Sequence, residues 1–264
     1  MERVEKYDRV DALLYDHYQR GVHGDIEFYV GQARDSGGPV LELGCGTGRV
    51  LLPTAEAGIA VVGVDRSADM LDVLRGKLTS VAPQTRQRVE LVHGDMRDFS
   101  LGRRFPLVTI PYRSFLHLLT VDDQRRALAC IRRHVASGGR LVLNVFDPDI
   151  PFLAERLAAG DTARRTWSFT NPETGRLTVG WETFRYDPTR QILHGDFLFD
   201  EYDDAGSVIA KRAVPLTLRW VHRYEMQHLL EGAGFEIEAL HGDFAGGVFQ
   251  HGAEQVWIAR AAGG

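Results

Sequence analysis

Hydrophobic and polar positions along this chain follow two different periods, and the change from one to the other marks a change of architecture. Residues 4 to 20 and 24 to 35 carry apolar side chains at helical spacing and end at Ser36-Gly37-Gly38-Pro39, which predicts two helices and a break. Val40-Leu41-Glu42-Leu43 is a short apolar run bounded by glycines, as expected of a buried strand. A helix (47–57), strand (60–64), helix (67–80), strands (88–92 and 105–111), helix (122–136) and strand (139–146) follow. That order predicts βαβ units in a parallel sheet with helices on both faces.

A helix over 150–159 then leads into a stretch with strand periodicity up to about residue 220, broken by turn signals at Asn171-Pro172-Glu173-Thr174-Gly175, Asp187-Pro188 and Asp203-Asp204-Ala205-Gly206. Leu193, Phe197 and Phe199 fall on one face of it and His194 and Asp196 on the other, the pattern of an antiparallel sheet buried on one side. A helix with the apolar stripe Met226, Leu229, Leu230 and Ala233 and strands near 235–241 and 254–260 complete the first fold. The expected class is α/β: a doubly wound, mostly parallel seven-stranded sheet with an antiparallel β insertion after strand five. The expected division is a helical cap over 1–36, a core over 37–150 and 221–264, and the insertion over 151–220.

Length and charge narrow the function. With 264 residues, 44% hydrophobic and 25% charged, the chain has the composition of a soluble globular protein that folds around one core. A formal charge of -5 argues against a polyanion-binding surface, so no nucleic-acid partner is expected. Cys45 and Cys130 are too few for a disulfide framework, and no signal peptide or apolar run of the ~18 residues that cross a bilayer is visible. The expectation is a cytoplasmic protein without a membrane partner.

The chemistry is concentrated at Val40-Leu41-Glu42-Leu43-Gly44-Cys45-Gly46-Thr47-Gly48, a strand running into a glycine-rich turn that opens a helix. Alternate glycines let the backbone turn sharply and approach a ligand, while a following helix offers free N–H groups. Asp65 ends the next strand, where an acidic side chain in a doubly wound sheet receives ribose hydroxyls. The spacing G-x-G-x-G differs from the dinucleotide fingerprint G-x-G-x-x-G, which disfavours NAD.

Glu42 to Gly48 resembles the first motif of the class I S-adenosylmethionine-dependent methyltransferases, and the resemblance continues through Asp65, through His93-Gly94-Asp95-Met96-Arg97-Asp98, and through Ser137-Gly138-Gly139-Arg140-Leu141. It implies a Rossmann-like methyltransferase fold and S-adenosyl-L-methionine as cofactor. Gly44, Gly46 and Gly48 would lie against the methionine part, Asp65 on the ribose, and Asp95 with Met96 around the adenine, flanked by Arg66 and Met70. Glu42, Cys45, Arg49, Gly94 and Pro111 complete the implied cofactor set. Residues 94–105 together with Ser114-Phe115-Leu116-His117-Leu118 look much like the TDP-aminosugar N,N-dimethyltransferases. His117 matches their active-site histidine, and Tyr15-Asp16-His17-Tyr18 has the position of their leading helix, which folds over the cofactor; Tyr18 is accordingly a cofactor candidate. The resemblance weakens after residue 150.

Methyl transfer from a sulfonium is an in-line displacement governed by positioning, and an amine or hydroxyl acceptor must also lose a proton. An unperturbed histidine titrates near pH ~6.5, which suits His117 to that task; a structural histidine is the competing reading. Tyr112, Arg113 and Phe115, at the end of strand four, are expected at the reaction floor. Tyr15, Trp181, His194 and Trp220 are further substrate candidates, with Tyr186 beside them and His222, Arg223, His241 and Asp243 at the rim. For each, ordinary packing or solvation competes.

The expected acceptor is a small molecule methylated on nitrogen or oxygen, nitrogen first. A peptide or protein N-methyltransferase and a non-catalytic cofactor-binding regulatory protein remain the alternatives, and a homodimer stays open. Thr109-Ile110-Pro111-Tyr112 carries the Pro-Tyr of adenine N-methylating enzymes but lacks the preceding Asn, Asp or Ser. Asp147 and Asp149 lack an evident third ligand, so no metal is expected.

Overall fold

The structure, a computed structural model, describes residues 9–160 and 163–262. The expected first helix begins at residue 4, and its residues 4–8 lie outside the described residues, as do 161 and 162 of the insertion. Two helices, α1 (Arg9–Tyr18) and α2 (Asp25–Ser36), precede β1 (Val40–Leu43), α3 (Leu51–Glu56), β2 (Val61–Asp65), α4 (Ala68–Leu78), the short α5 (Pro83–Arg86), β3 (Val89–His93) and β4 (Phe105–Ile110). After a 3-10 turn at Ser114–His117 come α6 (Val121–His134), β5 (Val135–Phe146) and α7 (Ile150–Ala159). Four strands, β6 (Arg164–Thr170), β7 (Leu177–Asp187), β8 (Ile192–Tyr202) and β9 (Val208–Arg219), are followed by α8 (Arg223–Gly232), β10 (Phe235–His241) and β11 (Glu254–Ala261).

The main sheet has the order β10-β11-β5-β4-β1-β2-β3, with β11 antiparallel to both of its neighbours and the rest parallel. All four residues of β1 are buried, because helices cover both faces of the sheet and leave no solvent side on which polar residues could alternate. One apolar cluster packs α6 and α8 against one face; another packs α2, α3 and α4 against the opposite one. The helices start where side chains can satisfy their first amides: Ser67 accepts from Met70 N at the head of α4, and Thr120 from Asp123 N at the head of α6.

The insertion is a second antiparallel sheet, β6-β7-β8-β9, and its turns fall at the three signals read from the sequence. Its buried face, with Phe197, Phe199 and Val214, packs on Leu14 and Tyr18 of α1. The strap α1 therefore bridges the two sheets. Asp11 is ion-paired with Arg212 on β9, and Asp16 accepts Thr47 Oγ1 at 2.6 Å and pairs with Lys77 of α4.

One boundary departs from expectation in a way that matters for the site. The helix after the glycine turn starts at Leu51, four residues late, because Gly44, Gly46 and Gly48 all hold positive φ and cannot enter a right-handed helix. The amides of residues 44, 45, 46 and 48 are spent within the turn or on β2, to Val64 O, Asp65 and Cys45 O. Among the described residues no helix is long and apolar enough to cross a membrane.

Candidate active site

Strand order reverses between β4 and β1, and the carboxyl ends of β1 to β4 open there into a cleft, the usual ligand position of a doubly wound sheet. Asp65, at the end of β2, accepts the Gly46 amide on one oxygen at 2.7 Å and the Ser67 amide on the other at 2.8 Å. Burial raises its carboxyl above the ordinary value, against those two hydrogen bonds and the charges of His117 and Arg66. After β3, Asp95 is gripped by Arg97 through Nε at 3.0 Å and Nη2 at 2.7 Å. Burial alone would raise the Asp95 carboxyl, but these bonds outweigh it and hold it below the usual range. A Cβ on Gly44 would stand 2.7 Å from Ser114 Cβ, so a side chain there would wedge the first turn away from the end of β4.

The end of β4 is strained. Tyr112 and Arg113 follow Pro111 with φ of 51° and 65°, a left-handed pair that costs of order 1–3 kcal/mol per residue. Tertiary bonds hold it: Tyr112 N–H donates to Asn144 Oδ1 at 2.8 Å, Tyr112 Oη to Gln19 Oε1 at 2.6 Å, and Arg113 Nε to Glu254 Oε1 at 2.9 Å. Asn144 also accepts Tyr29 Oη at 2.9 Å and donates to Glu254 at 2.9 Å. This twist reverses the chain into the 3-10 turn, where Phe115 and Leu116 anchor in the core and His117 is left facing the cleft.

Between the core and the second sheet lies a larger cavity of about 460 Å³. Its roof is the apolar face of β7 to β9, including Phe184, Leu193, Phe197, Leu216 and Leu218; Trp220 and α7 close the sides. Tyr15 and His117 line both the cleft and this cavity. Burial raises the Tyr15 hydroxyl far above its ordinary value, which keeps it a neutral donor at the junction.

The candidate residues sort into three groups. Gly44, Gly46, Asp65, Arg66, Gly94, Asp95 and Met96 line the cleft, joined by Ser67, Arg97, Ser114 and Leu118, which sequence reasoning missed. Tyr15, Tyr112, Arg113, His117, Tyr186 and Trp220 line the larger cavity. Gln19, Asp147, Trp167, Glu182 and Phe184 join them there; the register β6-β7-β8 would have found the last three.

Other candidates stand elsewhere. Tyr18, expected at the cofactor, is instead packed among Trp167, Phe197 and Phe199 on the cavity side, because it lies one helical turn beyond Tyr15 and under the second sheet. Glu42, Cys45, Met70 and Pro111 are buried behind the cleft. Burial pushes the Cys45 thiol far up and the Glu42 carboxyl up to about 8. Gly48 faces α4, where a Cβ would meet Leu74 Cδ1 at 2.3 Å. Arg49 pairs with Asp25 through Nη1 at 2.8 Å and Nη2 at 2.6 Å, and lies 4.8 Å over the Tyr112 ring. Phe115 is wholly buried in the core. Trp181 and His194 are on the outer face of the second sheet, since strand parity places them opposite Leu198 and Thr217 rather than toward the apolar face. His222 caps α8, and Arg223 lies over Tyr224 and Phe249.

A seven-stranded sheet with a glycine turn, an acid ending β2 and a roofed cavity beside the cleft defines the class as a doubly wound α/β protein with its ligand site at the carboxyl ends of the strands. Comparison with known proteins makes the class specific. Residues 40–139 match the family described as a methyltransferase domain. The chain is 30% identical over 244 residues to the cypemycin N-terminal methyltransferase of Streptomyces sp, covering 92% of this chain and 89% of that protein. It is 34% identical over 200 residues to the dTDP-3-amino-3,6-dideoxy-alpha-D-glucopyranose N,N-dimethyltransferase of Streptomyces fradiae, covering 73% and 74%. The structure of the CcbJ methyltransferase from Streptomyces caelestis superposes with a TM-score of 0.80 at 28% identity, covering 98% and 97%. The chain belongs to the class I S-adenosylmethionine-dependent methyltransferases, in the neighbourhood of the TDP-aminosugar N,N-dimethyltransferases. Its donor set fits S-adenosylmethionine, with a carboxylate ending β2, a second acid after β3 and a turn that faces the cleft with Gly44 and Gly46.

Proposed function

We propose that this enzyme methylates an amine nitrogen of a small molecule held in the cavity under the second sheet. The observation that carries the reading is that His117 and Tyr15 border the cofactor cleft and the acceptor cavity at once. Bound S-adenosylmethionine supplies an electrophilic methyl group. Asp65 receives the ribose hydroxyls, Asp95 and Met96 border the base, and the turn at Gly44 and Gly46 accommodates the methionine part. A ring nitrogen of His117 takes the proton from the acceptor, and the neutral Tyr15 hydroxyl fixes its approach. The chain divides into the cap (1–36), the cofactor-binding core (37–150 with 221–264) and the acceptor lid (151–220), of which 1–8, 161, 162, 263 and 264 lie outside the described residues. Nitrogen is favoured over oxygen because the two relatives above are both named as N-methylating. The same reading takes the protein as cytoplasmic, without a nucleic-acid partner.

The test is single-turnover transfer of an isotope-labelled methyl group to a panel of amines and matched alcohols, with His117→Ala alongside. Loss of a positioned base costs typically about a hundredfold or more in rate. His117→Ala should retain cofactor affinity and lose that rate; unchanged turnover would remove His117 from the mechanism.

A second reading is a peptide amino terminus as acceptor. It is favoured by the cypemycin relative and by the exposed apolar residues Ile150 and Leu157 on α7, the helix at the side of the cavity.

A further inference from the structure

The lining of the acceptor cavity contains three guanidinium groups, Arg113, Arg156 and Arg164, and three carboxylates, Asp147, Asp149 and Glu182. Five of them are met by protein at bonding or ring-contact distance, and Arg164 has Glu182 as its neighbour across the strand pair. Arg113 donates to Glu254 at 2.9 Å and lies 5.3 Å over the Phe146 ring. Asp147 accepts from Gly252 N at 3.0 Å, Gln255 Nε2 at 3.0 Å and His251 Nδ1 at 3.1 Å. Asp149 caps α7 through Phe152 N at 2.9 Å. Arg156 is laid over the Phe152 ring at 5.0 Å. Arg164 stands directly across from Glu182 in the β6-β7 register, and Glu182 lies in the fields of both Arg164 and Arg156.

The charges of the lining therefore cancel in number, three against three. A phosphate or diphosphate entering here would find Arg113 bonded to Glu254 and Arg156 laid over a ring, and would bring its own negative charge into half-buried space beside three acids. The wall offers apolar surface instead. Phe184 and Phe197 meet edge to face with centroids 6.2 Å apart, Leu193 and Leu218 are opposite each other in the β8-β9 register, and Tyr186 leans on Trp220 at 6.1 Å. Ring faces attract an ammonium group as well as hydrocarbon.

We infer that the acceptor is an apolar amine: a primary or secondary amine on an alkyl, aryl or alicyclic body without phosphate. Its body lies against the Phe184–Phe197 wall and its nitrogen reaches the junction at Tyr15 and His117. The inference rests on the amine-methylating reading above and adds the class of amine.

The test is calorimetry on the full chain. Titration with S-adenosylhomocysteine comes first, and the saturated protein is then titrated separately with phenylbutylamine and with a dTDP-linked amino sugar. Phenylbutylamine should bind about tenfold tighter or more, and Phe184→Ala should lose about fivefold or more of that affinity while S-adenosylhomocysteine binding is kept. Glu182→Lys provides a second variant independent of wall packing. By replacing one acid of the lining with a cation it should raise the affinity for the dTDP-linked amino sugar about fivefold or more. Tighter binding of the sugar nucleotide to the parent chain, binding of neither amine, or indifference to both substitutions would overturn the inference. A chain that binds no S-adenosylhomocysteine would instead overturn the methyl-transfer reading on which it rests.

Discussion

Asp65 accepts the amide of Gly46 at 2.7 Å, so the acid that ends β2 also fastens the glycine turn that ends β1. The two parts of the cofactor cleft are built as one unit. Removing the carboxylate takes away a cofactor contact and leaves the Gly46 and Ser67 amides without their acceptor. Asp65→Ala should therefore weaken S-adenosylmethionine binding by about 1.5–3 kcal/mol, the range for hydrogen bonds to a charged group. Equal calorimetric affinity in variant and parent would rule out the ribose assignment.

Glu42 lies behind the same turn, and burial pushes its carboxyl from the usual 4.5 up to about 8, against the attraction of Arg49. Its folded-state value is above its unfolded one, so its contribution to stability is complete below 4.5 and is lost as pH rises through about 8. The loss is on the order of 5 kcal/mol at most. Glu42→Gln cannot ionise, so its melting temperature should fall less than the parent's between pH about 5 and about 9. Parallel pH profiles would show that Glu42 does not titrate in this window.

Asn144 joins three groups at the strained end of β4: it accepts from Tyr112 N and Tyr29 Oη and donates to Glu254. Asn144→Ala would leave buried polar groups unpaired and release the left-handed pair at Tyr112 and Arg113. A loss of about 2–4 kcal/mol in denaturant unfolding is expected, with a lower kcat in whatever folds. A variant that unfolds at the parent's midpoint would mean the network does not hold the twist.

Asp16 fastens the α1 strap to the glycine turn and to α4, through Thr47 and Lys77. The Asp16 side chain is 36% exposed, so its pairing is partly screened by solvent. Asp16→Ala should speed S-adenosylhomocysteine release by about three- to tenfold in stopped-flow, with faster amide exchange in α1 and little change in β1 to β5. Uniform exchange changes throughout the chain would point to general destabilisation instead.

What could be read from the sequence was what local spacing dictates. The strand-turn unit of residues 40–48 and the acid at Asp65 are written in consecutive residues, and the turns of the insertion are marked by Asn171, Pro188 and Gly206. What lay beyond reach depended on which layer faces which. Leu193 and His194 separate cleanly by parity, but only the packing of α1 and the core under the second sheet makes the apolar face the cavity wall and turns His194 and Trp181 outward. Tyr15 and Tyr18 are a helical turn apart, with rings 5.7 Å from each other, yet the former reaches the cleft and the latter does not. The late start of α3 follows from three positive φ angles in a row of alternate glycines, a feature visible as composition but not as geometry.

The most direct measurement is transfer of an isotope-labelled methyl group from S-adenosylmethionine to amine and alcohol acceptors, followed by locating the label in the product. Label on nitrogen is expected, with transfer sharply reduced in His117→Ala while cofactor affinity is retained. Label on oxygen, or cofactor binding without transfer to any amine, would contradict it.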